Sequence, residues 1–508
     1  VAIIGEPLDF QTIERVARDD EQVELASDVA PRMAAARRVV EDLVSSGETS
    51  YGINTGFGGL ANVRIPPDEL ERLQLDIVRS HATAVGEPLP RAVVRAMLLL
   101  RARTFAFGVS GIRYEIVQGI VDLLNAGITP VVPSQGSLGA SGDLAPLAHL
   151  ALPLIGEGKA ELDGKIVTGA EALSTKGLAP ITLSFKEGLA LVNGTEMMLA
   201  LGILTYQGAV RLAKAADLAG AMTLEACLGT DHAFDADLIA LRKHLGAVEV
   251  AQNMRNLLAG SDIVASHRES EHLVQDAYSL RCIPQVHGAY RDGFDYVFSM
   301  LQAELDSAID NPTVLPGRNE VLSGGNFHGE ALGLALDHLA LCLTGFATIS
   351  ERRIARLVDP DLNNGLPAFL SKDPGRRSGF MLPSYTAASL VSENRSLSFP
   401  ASADSISTSA GQEDHVSMGA TSGRKAATIL ANSENVIAIE LLSAAQGLDL
   451  RGPLSPAPAT AAVRDRIRSV SPALEDDRSL SGDIGAVRGL VRDGNLIAAA
   501  EDSAGSLA

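Results

Sequence analysis

The chain predicts a mainly α-helical protein with a few short strands in its N-terminal part. Three observations carry this. Long Ala- and Leu-rich stretches recur between residues 91 and 447, several of them beyond ordinary helix length. Strand signals are sparse, confined to residues 1–4 and to a hairpin around Asp163-Gly164. Polar, glycine-rich islands separate the apolar stretches, as loops between helices would. Helices this apolar are buried on most sides, which predicts a bundle and an oligomer.

In order, residues 1–4 read as a strand and Asp9 as the cap of a helix that runs on from Thr12. An amphipathic helix follows over 31–46. Four glycines among residues 51–60 rule out a helix there. Tyr51, at the head of that loop, either anchors it by packing or acts as an acid or base. Helices are expected over 70–84, 91–107 and 114–126, the last stopped by Gly127. Ser80-His81 lies near the end of the first, where a histidine commonly caps or packs.

Next comes Gly136-Ser137-Leu138-Gly139-Ala140-Ser141-Gly142-Asp143, with an apolar helical run over 144–155. Three glycines at every third position give a backbone of unusual freedom. The stretch reads as a turn with Asp143 as N-cap, as a phosphate cradle, or as something rarer. In a tight bend the Gly142 nitrogen can attack the Ala140 carbonyl. Loss of two waters then leaves a methylidene-imidazolone, with Ser141 as the source of the methylidene carbon.

Beyond it, strands at 160–162 and 165–168 flank the turn Asp163-Gly164. A short helix, 187–191, leads into Val192-Asn193-Gly194-Thr195-Glu196. A long apolar helix follows over 197–218, and 220–260 continues helical. Gln275, Tyr278 and Arg281 are spaced to share one face of a helix. There Arg281 either binds a carboxylate or forms a surface ion pair. A very long helix runs to about 309 and breaks at Asp310-Asn311-Pro312. Residues 322–329 form a second glycine-rich loop before the helix 330–358. Residues 359–383 read as a long functional loop, 385–397 and 420–447 as helices, and 448–508 as a tail of two or three shorter ones.

The formal charge is −20, from 62 acidic and 42 basic residues, which disfavours nucleic-acid and anionic-membrane partners. Three widely spaced cysteines make no disulfide framework and point to a reducing cytoplasm. No secretory n- and h-region opens the chain, and no uninterrupted apolar run reaches transmembrane length. His267 and His272 are poorly spaced for one helical face, so no metal is expected.

The islands 51–58, 80–81, 136–149, 193–196, 275–285, 323–328 and 412–418 form a set. Together they resemble the aromatic amino-acid ammonia-lyase and aminomutase family, most closely its histidine-directed members, from Tyr51 to about Gly494. Gly139-Ala140-Ser141-Gly142-Asp143-Leu144 looks like the family's cofactor-forming signature. The resemblance implies the long central helical bundle of the aspartase and ammonia-lyase type. It also implies a homotetramer whose active sites draw loops from three subunits. By the same resemblance the parts are an N-terminal domain (1–195) with the prosthetic-group site, the bundle (196–447) and a helical tail (448–508).

It also implies roles. Ala140, Ser141 and Gly142 would form the methylidene-imidazolone autocatalytically, with no external cofactor. Tyr51 would remove the β-proton, Asn193 would lie beside the ring, and Tyr278 would join the catalytic set. Arg281 would hold the carboxylate. Gln275 and Phe327 would line the site. His81, with Ser80, and Glu413 would select imidazole. The implied reaction is loss of ammonia from L-histidine, giving trans-urocanate. Four positions depart from the family pattern: Glu196 after Asn-Gly-Thr, Ile283 before Pro284-Gln285, Leu382-Pro383-Ser384 ahead of Tyr385, and Gly411 before Gln412. They bear on pocket size rather than reaction class. The alternatives are a phenylalanine or tyrosine lyase, a 2,3-aminomutase, and a non-catalytic helical assembly protein.

Overall fold

The computed structural model describes residues 1–47, 50, 52–56, 64–269 and 274–508. Four helices dominate it: Glu196–Ala226, Ile283–Leu305, Glu330–Val358 and Gly419–Leu450, of 31, 23, 29 and 32 residues. The chain divides into two compact units. The first holds residues 1–204, 299–337 and 400–424; the second holds 205–298, 338–399 and 425–508. Each dividing point falls within or beside one of the long helices or their flanking segments.

In the first unit, local chemistry sets most boundaries. Asp9 accepts the Thr12 N–H at 2.6 Å and starts the helix Phe10–Arg18. The helix Val29–Ser46 ends on Gly47 in the left-handed region, φ 73°. Lys159–Leu162 pairs antiparallel with Lys165–Thr168, and Asp163 and Gly164 both take positive φ, as a two-residue hairpin needs. The strand expected over residues 1–4 forms as Ala2–Ile4, and the remaining strands carry no visible signal in the sequence. Val23–Leu25 pairs parallel with Ala2–Ile4, and Thr313–Leu315 pairs antiparallel with Glu320–Leu322, outside the N-terminal part. Three residues each are too few for a visible alternation.

In the second unit an aromatic core ties helices together. Phe346 lies 5.4 Å from Tyr290 and 6.0 Å from Phe294, and Tyr206 meets Phe294 at 6.1 Å, edge to face. Buried charges sit in the same unit. Asp217 accepts from His287 Nδ1 at 2.7 Å, Arg291 at 2.6 Å and Asn253 at 2.9 Å. Arg353 donates to Glu440 at 2.8 Å, and the hydroxyls of Thr223 and Ser350 donate to the same carboxylate. Burial pushes His287 below its ordinary value, against the pull of Asp217. Arg353 lies 3.3 Å from His287 Nε2 and can only donate, which fixes a neutral ring with its hydrogen on Nδ1.

Three expectations need correction. Residues 220–260 are not one helix: it stops at Ala226, Leu228 turns left-handed (φ 51°), and helices resume at Ala236–Ala240 and Leu245–Leu258. Asp235 caps the first of these through Leu238 N–H. Gln275, Tyr278 and Arg281 do not share a helix face, because the helix there is the single turn Tyr278–Arg281. The helix expected from residue 385 starts at Met381, with Pro383 in its first turn, where a missing N–H costs no hydrogen bond. Among the described residues one helix, Glu330–Val358, is long and apolar enough to cross a membrane, and 72% of its most apolar window is buried within the protein.

Candidate active site

The glycine stretch is a compressed turn between the strand Pro133–Gln135 and the helix Leu144–Ala151. Gly139 and Gly142 have φ of 73° and 74°. A Cβ on Gly142 would lie 1.9 Å from the Gly194 carbonyl oxygen, and one on Gly139 would lie 2.0 Å from Ser417 Oγ. Neither position has room for a side chain. Two backbone bonds hold this approach: Asp143 N–H donates to Gly194 O at 2.6 Å, and Met418 N–H to Leu138 O at 2.9 Å. The turn is thereby fixed against two of the other islands, 193–196 and 412–418.

Asp143 does not cap the helix that follows it, contrary to the simple turn reading. Its Oδ2 accepts the Met198 N–H, in the first turn of Glu196–Ala226, at 2.9 Å. Its Oδ1 accepts the Ser137 hydroxyl at 2.9 Å. Asp143 is fully buried, and burial pushes it up to about 7 against the pull of these donors. A buried carboxyl at this point also makes a poor phosphate cradle.

Ser141 is half-buried, and its hydroxyl donates to Asn193 Oδ1 at 2.7 Å. Asn193 ends the short helix Glu187–Val192. Its Nδ2 faces the Asn311 carbonyl at 2.8 Å and Asp310 Oδ1 at 3.4 Å. Its own carbonyl accepts from Arg101 at 3.2 Å. Arg101 also pairs with Glu196 at 2.6 Å, and Thr104 donates to the same oxygen at 3.0 Å. The unusual Glu196 thus has a buried cationic partner that no motif announces.

The other candidates in the first unit cluster less tightly. The loop of Phe327 meets that of Glu413 through stacked rings, His328 on His415, with centroids 5.9 Å apart. Phe327 is half-buried. Glu413 Oε2 accepts the Thr408 hydroxyl at 2.9 Å. His81 closes the helix Leu70–His81, with Nδ1 2.8 Å from the Ile77 carbonyl, so its hydrogen sits on Nδ1. Tyr51 lies outside the described residues.

In the second unit the Arg281 guanidinium lies over the Tyr278 ring, 4.7 Å from its centroid. Tyr278 is 71% exposed and Gln275 is exposed as well. Arg281 lines a cavity of about 590 Å³ with Gln285, Cys282, His232 and His244. Arg281 Nε and Gln285 Oε1 are buried there without a hydrogen-bond partner. A guanidinium with an unused donor suits a carboxylate. Sequence reasoning passes over Gln285, which sits in the island but matches no role. Among the described residues, no group of three or more His, Cys, Asp or Glu could hold a metal ion.

Known proteins resemble this chain in sequence and in fold. The chain is 49% identical over 512 residues to a protein named histidine ammonia-lyase from Koribacter versatilis, covering 98% of this chain and 99% of the relative. The crystal structure of histidine ammonia-lyase from Trypanosoma cruzi superposes with a TM-score of 0.91 at 44% identity, covering 99% of this chain and 96% of that one. Tyrosine aminomutase from Streptomyces globisporus superposes at 0.92 with 36% identity, covering 99% and 98%. The profile for aromatic amino acid lyases matches residues 8–469. A match of that extent, on a chain that folds as these relatives do, places it in a family: the chain belongs to the aromatic amino acid lyases.

Proposed function

We propose that the chain is an ammonia-lyase that converts L-histidine to trans-urocanate and ammonium. The observation that carries this reading is the Ser141 turn, closed so tightly that no side chain fits at Gly139 or Gly142, with the serine hydroxyl held by Asn193. The names of the curated relatives support histidine as the substrate.

The turn fits a prosthetic group made from Ala140, Ser141 and Gly142. Cyclisation needs the chain to bend back on itself where Gly142 supplies the nitrogen, and the positive φ and absent side chain there permit it. The ring supplies an electrophilic carbon that makes the substrate's amino group able to leave. Asn193 and Asp143 fix the position of the turn. Arg281 binds the substrate carboxylate, with Tyr278 holding the guanidinium by its ring face. Tyr51 takes the weakly acidic β-proton, and orientation by Arg281 presents that proton to it. Glu413 has one oxygen on Thr408 and offers the other to the imidazole N–H, with His81 beside it as a second selector. Gln275 and Phe327 line the site.

In this reading residues 1–195 carry the prosthetic turn, 196–447 the long helices and 448–508 a helical tail. The enzyme works in the cytoplasm as a homotetramer with shared sites. Exposed Tyr278, Val274, Tyr385 and Phe399 support a partner surface on the second unit. The test is a spectrophotometric assay with histidine, phenylalanine and tyrosine. Urocanate absorbance with histidine alone is expected. Cinnamate, coumarate or a β-amino acid as the main product would overturn the histidine assignment.

A further inference from the structure

We propose that the buried Lys186–Asp310 pair is a positioning device that sets the orientation of the Asn193 amide and, through it, the Ser141 hydroxyl. The proposal rests on the reading that Ser141 becomes part of the prosthetic group. Around Asn193 Nδ2 lie a backbone carbonyl, Asn311 O, and a carboxylate oxygen, Asp310 Oδ1. Both only accept, so the NH₂ must face them and the amide oxygen must face Ser141. Asp310 Oδ1 is itself held by the Asn311 N–H at 2.7 Å, which ties the carboxylate to the segment carrying the second acceptor.

Asp310 can remain an anion in that dry position only with a counter-charge. Lys186 provides it, Nζ to Oδ2 at 2.7 Å, with both side chains fully buried. The backbone is bent to put it there. Lys186 is a non-glycine residue at φ 68°, a conformation that costs energy unless its surroundings impose it. The charge pair thus joins the Asn311 carbonyl in holding the NH₂ of Asn193 and turning its oxygen, which only accepts, to Ser141. Their side chains bond to each other, to Asn193 and to the Asn311 N–H, so they reach the turn through Asn193.

The experiment follows freshly translated full-length chains by intact mass, which falls by two waters as the ring forms. The wild type is measured first; an unmodified mass there would sink the prosthetic-group reading itself. Asp310→Asn leaves the Asn311 carbonyl as the one fixed acceptor beside Asn193 Nδ2 and loosens the amide, and ring formation is expected to slow about tenfold or more, the effect of one lost oriented hydrogen bond. Lys186→Met with Asp310→Asn removes both charges, guards against misfolding from a lone buried lysine, and is expected to slow it as much. Ile13→Ala, a buried core change distant in sequence, serves as a matched destabilised control that should form the ring at the wild-type rate. Wild-type ring formation in either Asp310 variant would overturn the proposal. So would loss of helical circular dichroism in both, which would make the pair a folding element.

Discussion

Two buried charge networks, one in each unit, use the same residue types for different ends. In the second unit, Asp217, His287, Arg291, Arg353 and Glu440 bond mainly to one another and to hydroxyls on neighbouring helices. In the first, Arg101, Asn193 and Asp310, the last paired with Lys186, grip the main chain: the carbonyls of Asn193, Ile309 and Asn311 and the Asn311 N–H. A network between side chains fixes the register of helices. A network on the backbone fixes loops, and here the loops are those around Ser141. A buried charge serves stability in the second unit and loop geometry in the first.

Substitutions separate the two. The largest effect is expected for Ser141→Ala, which removes the source of the methylidene carbon. Urocanate formation should drop to background, the intact mass should equal that of the unmodified chain, and the urea transition should stay near wild type. Appreciable turnover in this variant would end the mechanism. Arg353→Met is the mirror image. It strands the buried Glu440 carboxylate, and a urea melt should show a loss of about 3–5 kcal/mol. Chains that do fold should still lose two waters. Failure of ring formation in folded protein would erase the distinction between the networks.

Two smaller effects sharpen it. Glu413→Gln should lower histidine turnover by about tenfold or more, the scale of one hydrogen bond to a charged group. Any turnover of phenylalanine should change less, and equal losses would argue against a role in imidazole recognition. The other is a pH slope. Asp143 has its proton bound more tightly when folded, at about 7, than when unfolded, near 3.8. Between those values the native state holds the extra proton, so stability falls as pH rises, by about 1.4 kcal/mol per unit at most, and is level above. Asp143→Asn should abolish that contribution, seen as a flatter pH dependence of the urea midpoint over about pH 5–8. An unchanged slope would mean that Asp143 is already ionised at the low end of that range.

The difference between what can be read in the sequence and what cannot follows from distance along the chain. The hairpin at Asp163-Gly164 and the cap at Asp9 are legible because their signals lie within four residues of their effects. The turn is legible through Gly139, Ser141 and Gly142 for the same reason. The destination of Asp143 is not, since its carboxyl bonds to Met198, 55 residues on. Asp310-Asn311-Pro312 reads only as a helix break, though Asp310 is the anion beside Asn193. Lys186 and Arg101 carry no motif. The faint signal is a charge set within an apolar stretch, and such residues become interpretable only once the fold supplies the partner. Gln275 misleads for the opposite reason: regular spacing is present, but the helix it presumes is one turn long.

The exposure of Tyr278 beside Arg281 carries a consequence for how the enzyme is handled. If, as proposed, Arg281 binds the substrate and a second copy closes over the exposed Tyr278 to complete the site, assembly gates binding. Specific activity then becomes a property of concentration as much as of the chain. Diluted below its assembly constant, the protein would keep its helices and its ring yet lose turnover, and would regain it on concentration without any added factor.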